Sequence, residues 1–137
     1  MFGPVSEGMK LFKNGSTVAV IGYSESPDRI VLKVTKYLLE EGNTVIGINP
    51  NLEKAVKTDI SVVANLQDIK EPVDIIQVFR RSSALAGIGQ EITNLSWKPK
   101  LIWCQQGVLD IMFQEEMERI GIPVVMDACP YALRSFL

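Results

Sequence analysis

A chain of 137 residues, 47% hydrophobic and 22% charged, holds enough apolar material for one core and is too hydrophobic to be disordered. Its 14 basic and 16 acidic residues are well mixed and leave a net charge of −2, so no basic face invites nucleic acid and no cationic amphipathic segment invites a membrane surface. With no histidine at all, Ser-His-Asp and Cys-His arrangements, imidazole acid–base catalysis and most zinc sites are excluded, and no metal site is expected.

In chain order, residues 1–15 carry Val5, Met9, Leu11 and Phe12 among polar residues, which predicts a short helix ending near Asn14-Gly15 and covering a sheet edge. Thr17 to Ile21 is an unbroken apolar, β-branched run, the signature of a strand buried on both faces in a parallel sheet. The chain breaks at Gly22. Ser26-Pro27-Asp28 then offers a side-chain cap, a proline suited to the first helical position and a first-turn acid. This predicts a helix closed by Gly42, with Ile30, Val31, Val34, Leu38 and Leu39 on its sheet-facing stripe. Thr44 to Ile48 reads as a second strand stopped by Asn49-Pro50, and a third is expected near Ile60 to Val63. Leu66 to Pro72 reads as a short helical turn and loop. Val73 to Phe79 is the fourth strand, with Arg80-Arg81 at its C-terminal end.

Ser82 can cap a following helix through Leu85, Ile88, Ile92 and Leu95, although Gly87 and Gly89 weaken its intrinsic preference. Leu101 to Cys104 is a fifth strand leading to Gln105-Gln106-Gly107. A further helix from Leu109 to Ile120 sets Met112, Phe113, Met117 and Ile120 on one side, and Pro123 to Met126 is a last strand. Asp127 to Pro130 and an apolar tail, Tyr131 to Leu137, end the chain. No repeat, linker or apolar run of about 20 residues interrupts this order, so one domain over 1–137 is expected, with a cytoplasmic location.

Strands alternating with helices imply an α/β fold, a three-layer, doubly wound, mostly parallel sheet of five to six strands. Ligands of such sheets bind beyond the carboxyl ends of the strands, at the switch point beside the first strand. Tyr23, Ser24, Asn49, Arg80, Arg81, Gln105, Gln106 and Asp127 each follow a strand and are expected along that edge. The turn after the first strand suits a phosphate, with donors from Tyr23, Ser24, Glu25 and Ser26; Pro27 has no N–H to add, and Asp28 brings a negative charge. The NAD fingerprint is missing: the turn reads Gly22-Tyr23-Ser24-Glu25-Ser26-Pro27, and Asn49 stands where an acidic ribose ligand belongs. The phosphate loop of nucleoside triphosphatases is missing too.

Taken together, six segments in register resemble the small stand-alone CoA-binding proteins, which look like the nucleotide-binding domain of the succinyl-CoA synthetase α subunit. They are Val18-Ala19-Val20-Ile21-Gly22-x-Ser24 with Pro27-x-Arg29; Val45-Ile46-Gly47-Ile48-Asn49-Pro50; Leu66-x-Asp68-Ile69 with Pro72-Val73-Asp74; Val78-Phe79-Arg80-Arg81-Ser82; Gln106-Gly107; and Asp127-x-Cys129. The resemblance implies a Rossmann-like fold that binds coenzyme A, or a short acyl-CoA, across the strand ends. By that similarity Gly22, Tyr23, Ser24 and Glu25 approach the pyrophosphate, with Arg29 close by, and Asn49-Pro50 borders the nucleotide. Arg80 and Arg81 meet phosphates, Phe79 and Pro50 offer apolar surface, and Gln106 and Gly107 are counted among the site residues.

The chain departs from the family at Ala128, where members often carry arginine, and in lacking a histidine near the C-terminus. The synthetase's phosphorylated histidine, which lies in a second domain, has no counterpart here, so ligase chemistry is not implied. The expected role is a non-catalytic CoA sensor or carrier. Two other readings stay open: a nucleotide-dependent enzyme using Cys129 or Cys104 as nucleophile, and an interaction domain with a vestigial pocket. Oligomeric state, including a homodimer, is open as well.

Overall fold

The computed structural model describes residues 3–136. Its elements are α1 (Pro4–Lys13), β1 (Thr17–Ile21), α2 (Val31–Glu40), β2 (Thr44–Ile48), β3 (Ser61–Val63), β4 (Ile75–Val78), α3 (Leu85–Thr93), β5 (Leu101–Cys104), α4 (Ile111–Arg119), β6 (Val124–Val125) and α5 (Pro130–Leu133), with 3₁₀ turns at Leu66–Asp68 and Ser82–Ala84. The six strands form one sheet in the order β3-β2-β1-β4-β5-β6, every pair parallel. The α/β, doubly wound architecture expected from the alternation of strands and helices is present.

Side-chain alternation along each strand divides the core into two layers. Ala19, Ile21, Ile76, Val78, Ile102 and Cys104 pack with Leu85, Ile88 and Ile92 of α3 and with Phe113 and Met117 of α4. Val18, Val20, Ile75, Leu101 and Trp103 face the other way, onto Met9 and Phe12 of α1 and Val31, Val34 and Leu38 of α2. Helix α1 lies on β5 and the edge strand β6, so close that a Cβ at Gly8 would come within 2.7 Å of the Trp103 ring. Asn43, buried, ties three chain ends together: it accepts from Ser16 N–H and donates to the carbonyls of Phe12 and Leu38.

Three local expectations are corrected. Helix α2 does not begin at Ser26-Pro27. It begins at Val31, with Ile30 at the cap position and no side-chain cap, while the Ser26 hydroxyl donates to the Asp28 carboxylate inside a short turn. Ile30 is half exposed and therefore off the buried stripe. Ser82 likewise does not cap α3: its hydroxyl donates to Gly107 O and accepts from Leu109 N–H, bridging two loops. Helix α4 is capped by Asp110, whose carboxylate accepts from the N–H groups of Met112 and Phe113, and Met112 points outward, 71% exposed.

Candidate ligand groove

Because β1 pairs with β2 on one side and β4 on the other, Ile48, Ile21 and Val78 end in line and a crevice opens above them. Gly22 turns the chain there with φ of 84°, its N–H donating to Ile48 O at 3.1 Å. A Cβ at this position would stand 2.4 Å from Phe79 O, so only glycine lets the two strand ends approach this closely.

Tyr23 and Glu25 are turned away from the crevice. The Tyr23 N–H joins Gly22 on Ile48 O, and its ring is fully buried against Gly47, where a Cβ would come within 2.9 Å of it. Its hydroxyl donates to Glu25 at 2.8 Å and lies 2.9 Å from Thr58 Oγ1, and burial pushes the phenol up to about 12. Burial works against charge on Glu25, but the N–H groups of Val56 and Lys57, each 3.0 Å away, together with Tyr23, outweigh it and hold the carboxyl below its ordinary range. Tyr23 and Glu25 thus brace the 56–58 segment and contribute no side chain to the groove. Of the four turn N–H groups, that of Ser26 is taken by Ser24 Oγ; only Ser24 and Glu25 keep theirs without a partner among the described residues.

The other expected residues come together. A cavity of about 500 Å³ is walled by Gly22, Ser24, Arg29, Asn49, Pro50, Phe79 and Arg80. It adjoins a second lobe of about 290 Å³, where Arg81, Gln106 and Gly107 complete the wall and Gly22, Arg29, Phe79 and Arg80 are shared. The Asn49 amide is spent on shape: it donates to Tyr23 O and accepts from Asn51 N–H. Asp127, with φ of 57°, accepts from Gly107 N–H at 2.7 Å and so orders the loop beneath the second lobe. Gln105 reaches that lobe from a buried position, its carbonyl accepting from Gln77 Nε2 at 3.2 Å.

Asn65 and Glu91 also line the larger cavity, and sequence reasoning missed both. Asn65 follows β3 and could have been found by extending the strand-end rule to that short strand. Glu91 sits within α3 and carries no local signal.

Arg29, Arg80 and Arg81 are exposed, and none forms an ion pair among the described residues, where the salt bridge found is Lys100 to Asp74 at 3.2 Å. The N-terminus of α2, free of any side-chain cap, opens on the second lobe at Val31. Free guanidinium groups and an open helix N-terminus favour phosphate oxygens.

The cysteines take no part in these walls. Cys104 ends β5 inside the core, and burial pushes its thiol up to about 12; Cys129 is buried in the core layer that α1 and α2 cover. Among the described residues no group of cysteine and carboxylate side chains is placed to hold a metal ion. Cys104 is therefore expected to stay unmodified by iodoacetamide at pH 8 in the folded protein and to react fully in denaturant, as read by intact mass. Carbamidomethylated Cys104 in folded protein would contradict this.

Residues 16–134, which include every residue lining both lobes, match the family described as the CoA binding domain. The chain belongs to that family. Among relatives of this CoA binding domain, the Bacillus subtilis (strain 168) protein YneT is 32% identical over 124 residues, spanning 90% of this chain and 89% of its own. A Thermus thermophilus structure, cell-free ID.343, is 37% identical with a TM-score of 0.80, covering 90% of this chain and 91% of that one. A Pyrococcus horikoshii OT3 protein shares the fold at 21% identity and a TM-score of 0.81, over 100% of this chain and 97% of its own.

Proposed function

We propose that the two-lobed groove binds coenzyme A, free or carrying a short acyl group, and that the protein acts as a carrier or sensor of that ligand without chemistry of its own. The observation that carries this reading is the gathering of Arg29, Arg80 and Arg81, without ion-pair partners among the described residues, around one groove at the switch point of a CoA binding domain. Coenzyme A has a pyrophosphate and a 3′-phosphate, and planar guanidinium groups engage phosphate oxygens two at a time. In this reading the free N–H groups of Ser24 and Glu25 and the α2 N-terminus serve the pyrophosphate. Asn49-Pro50 borders the nucleotide, and Phe79 with Val108 gives the pantetheine arm an apolar path through the second lobe.

Catalysis has no support in the groove. Its walls carry no thiol and no histidine, and the carboxylate that reaches the larger cavity is Glu91 of α3. No helix among the described residues is long and apolar enough to cross a membrane.

Coenzyme A at about a hundred times its dissociation constant is expected to stabilise the protein by about 2.7 kcal/mol, a readily visible melting shift. NAD at the same concentration is expected to give little, since Asn49 cannot replace the acid that holds a ribose hydroxyl pair. Equal shifts with both would mark a generic dinucleotide site.

A further inference from the structure

Two glutamines are buried where the sheet meets the second lobe. Gln77, in β4, has no exposure, and Gln105, the residue after β5, is 5% exposed. A polar side chain in a strand otherwise made of Ile and Val is costly to bury unless its amide is satisfied. Here it is satisfied only in part: Gln77 Nε2 donates to Gln105 Oε1 at 3.2 Å, while Gln77 Oε1 is sealed in without a partner among the described residues. A methionine would fill the same space with no orphaned oxygen. What the Gln77 amide adds is a grip on Gln105 Oε1, which turns the other end of that amide, Nε2, the opposite way.

The strands decide where Nε2 goes. Trp103 faces α1 and α2, Gln77 is its partner in register on β4, and Gln105, two residues on from Trp103, falls on the same face. Val31, at the start of α2, enters the second lobe from that face, and Gln105 lines the lobe with it. The backbone of Gln105 is fully spent, its N–H on Val78 O and its carbonyl on Val108 N–H. Its Nε2 has no hydrogen-bond partner among the described residues and, unlike Gln77 Oε1, is not sealed off. The lobe therefore holds a buried, oriented, neutral N–H donor among Val31, Phe79 and Val108. Arginines at the wall suit phosphate charge, whereas a neutral amide among apolar side chains suits a neutral acceptor, a carbonyl oxygen.

We propose that Gln105 is a ligand-binding residue whose Nε2 donates to a carbonyl oxygen on the pantetheine arm, free or acylated, and that Gln77 is the positioning residue that fixes the Gln105 amide. The proposal rests on the reading of the groove as a coenzyme A site and names the part of that ligand which the second lobe recognises. A pantetheine amide and an acyl thioester both offer such an oxygen, and the choice of ligands separates them.

The test starts with the wild type, labelled with nitrogen-15 and titrated with coenzyme A and with 3′-phosphoadenosine 5′-diphosphate, which keeps the phosphates and lacks the pantetheine arm. Coenzyme A is expected to shift the Gln105 side-chain amide resonances saturably, and the truncated ligand to leave them in place. Gln105→Met keeps the volume and removes the donor. It should weaken coenzyme A about three- to tenfold, as one neutral hydrogen bond implies, and bind the truncated ligand as the wild type does. Gln77→Met should weaken coenzyme A about two- to threefold with the same selectivity, whereas a merely structural role would weaken both ligands alike. In Gln105→Met, equal losses for coenzyme A and acetyl-CoA place the contact on a pantetheine amide, and a larger loss for acetyl-CoA places it on the thioester. Unmoved Gln105 amide resonances with coenzyme A bound, unchanged coenzyme A affinity in Gln105→Met, or equal weakening of coenzyme A and the truncated ligand would overturn the role of Gln105 and leave the coenzyme A reading standing. A wild type that coenzyme A does not saturate would overturn that reading and this one together.

Discussion

Gly22→Ala is expected to lower stability by roughly 3 to 5 kcal/mol, out of the 5 to 15 typical of a domain this size. Two costs combine. The backbone at Gly22 has φ of 84°, a region that penalises a side chain by roughly 1–2 kcal/mol. The added carbon would also lie 2.4 Å from Phe79 O and 3.2 Å from Arg80 Cδ; the first of these is backbone, which cannot rotate aside. Relief requires β1 and β4 to part where the groove opens, so binding should fall along with stability. Gly107→Ala provides the control: its φ is also 84°, but nothing lies within 4 Å of a Cβ there, and only the dihedral cost of roughly 1–2 kcal/mol is expected. Urea unfolding of the two variants measures the difference. Equal losses would show that the approach to Phe79 is not what demands a glycine.

Arg80→Ala is expected to weaken coenzyme A about tenfold to a hundredfold while leaving the fold almost untouched. Arg80 follows Phe79 at the end of β4 and lines both lobes, exposed and free of any ion pair among the described residues, so its removal breaks nothing in the free protein. A charge-assisted hydrogen bond contributes roughly 1.5 to 3 kcal/mol, against under about 0.5 for a solvated surface charge, and each 1.4 kcal/mol is a factor of ten. Titration calorimetry with coenzyme A and dephospho-coenzyme A locates the contact. A loss that shrinks with the dephospho form assigns Arg80 to the 3′-phosphate, and one that persists assigns it to the pyrophosphate. Unchanged affinity in a normally folded variant would mean that Arg80 is a surface charge and that the groove is anchored by other residues.

Where local signals and tertiary demands conflicted, the tertiary demands prevailed. Ser26-Pro27-Asp28 has every mark of a helix start, yet α2 begins at Val31, the first residue of the segment that can be buried against the sheet. Ser82 has the chemistry of a cap, yet its hydroxyl is drawn into the gap between Gly107 and Leu109, two loop groups that only the folded sheet brings near it. Tyr23 follows a strand, as groove residues do, but Gly47 on the neighbouring strand leaves room for an aromatic ring, and burying that ring is worth more than displaying it.

Sequence alone determines the alternation of strands and helices, since a strand buried on both faces must be a continuous apolar run and a helix packed on it must be apolar on one side. It also determines that Gly22, Asn49-Pro50 and Arg80-Arg81 fall at strand ends, because in a parallel sheet every carboxyl end lies at the same edge. Strand order, by contrast, is a long-range matter. Only the pairing of β4 with β1 sets Arg80 beside Gly22 and Arg29, and only the packing of α3 under that edge carries Glu91 into the cavity. The meeting of Gln77 and Gln105 belongs wholly to the tertiary structure: they stand 28 residues apart in the chain and face each other only because β4 pairs with β5.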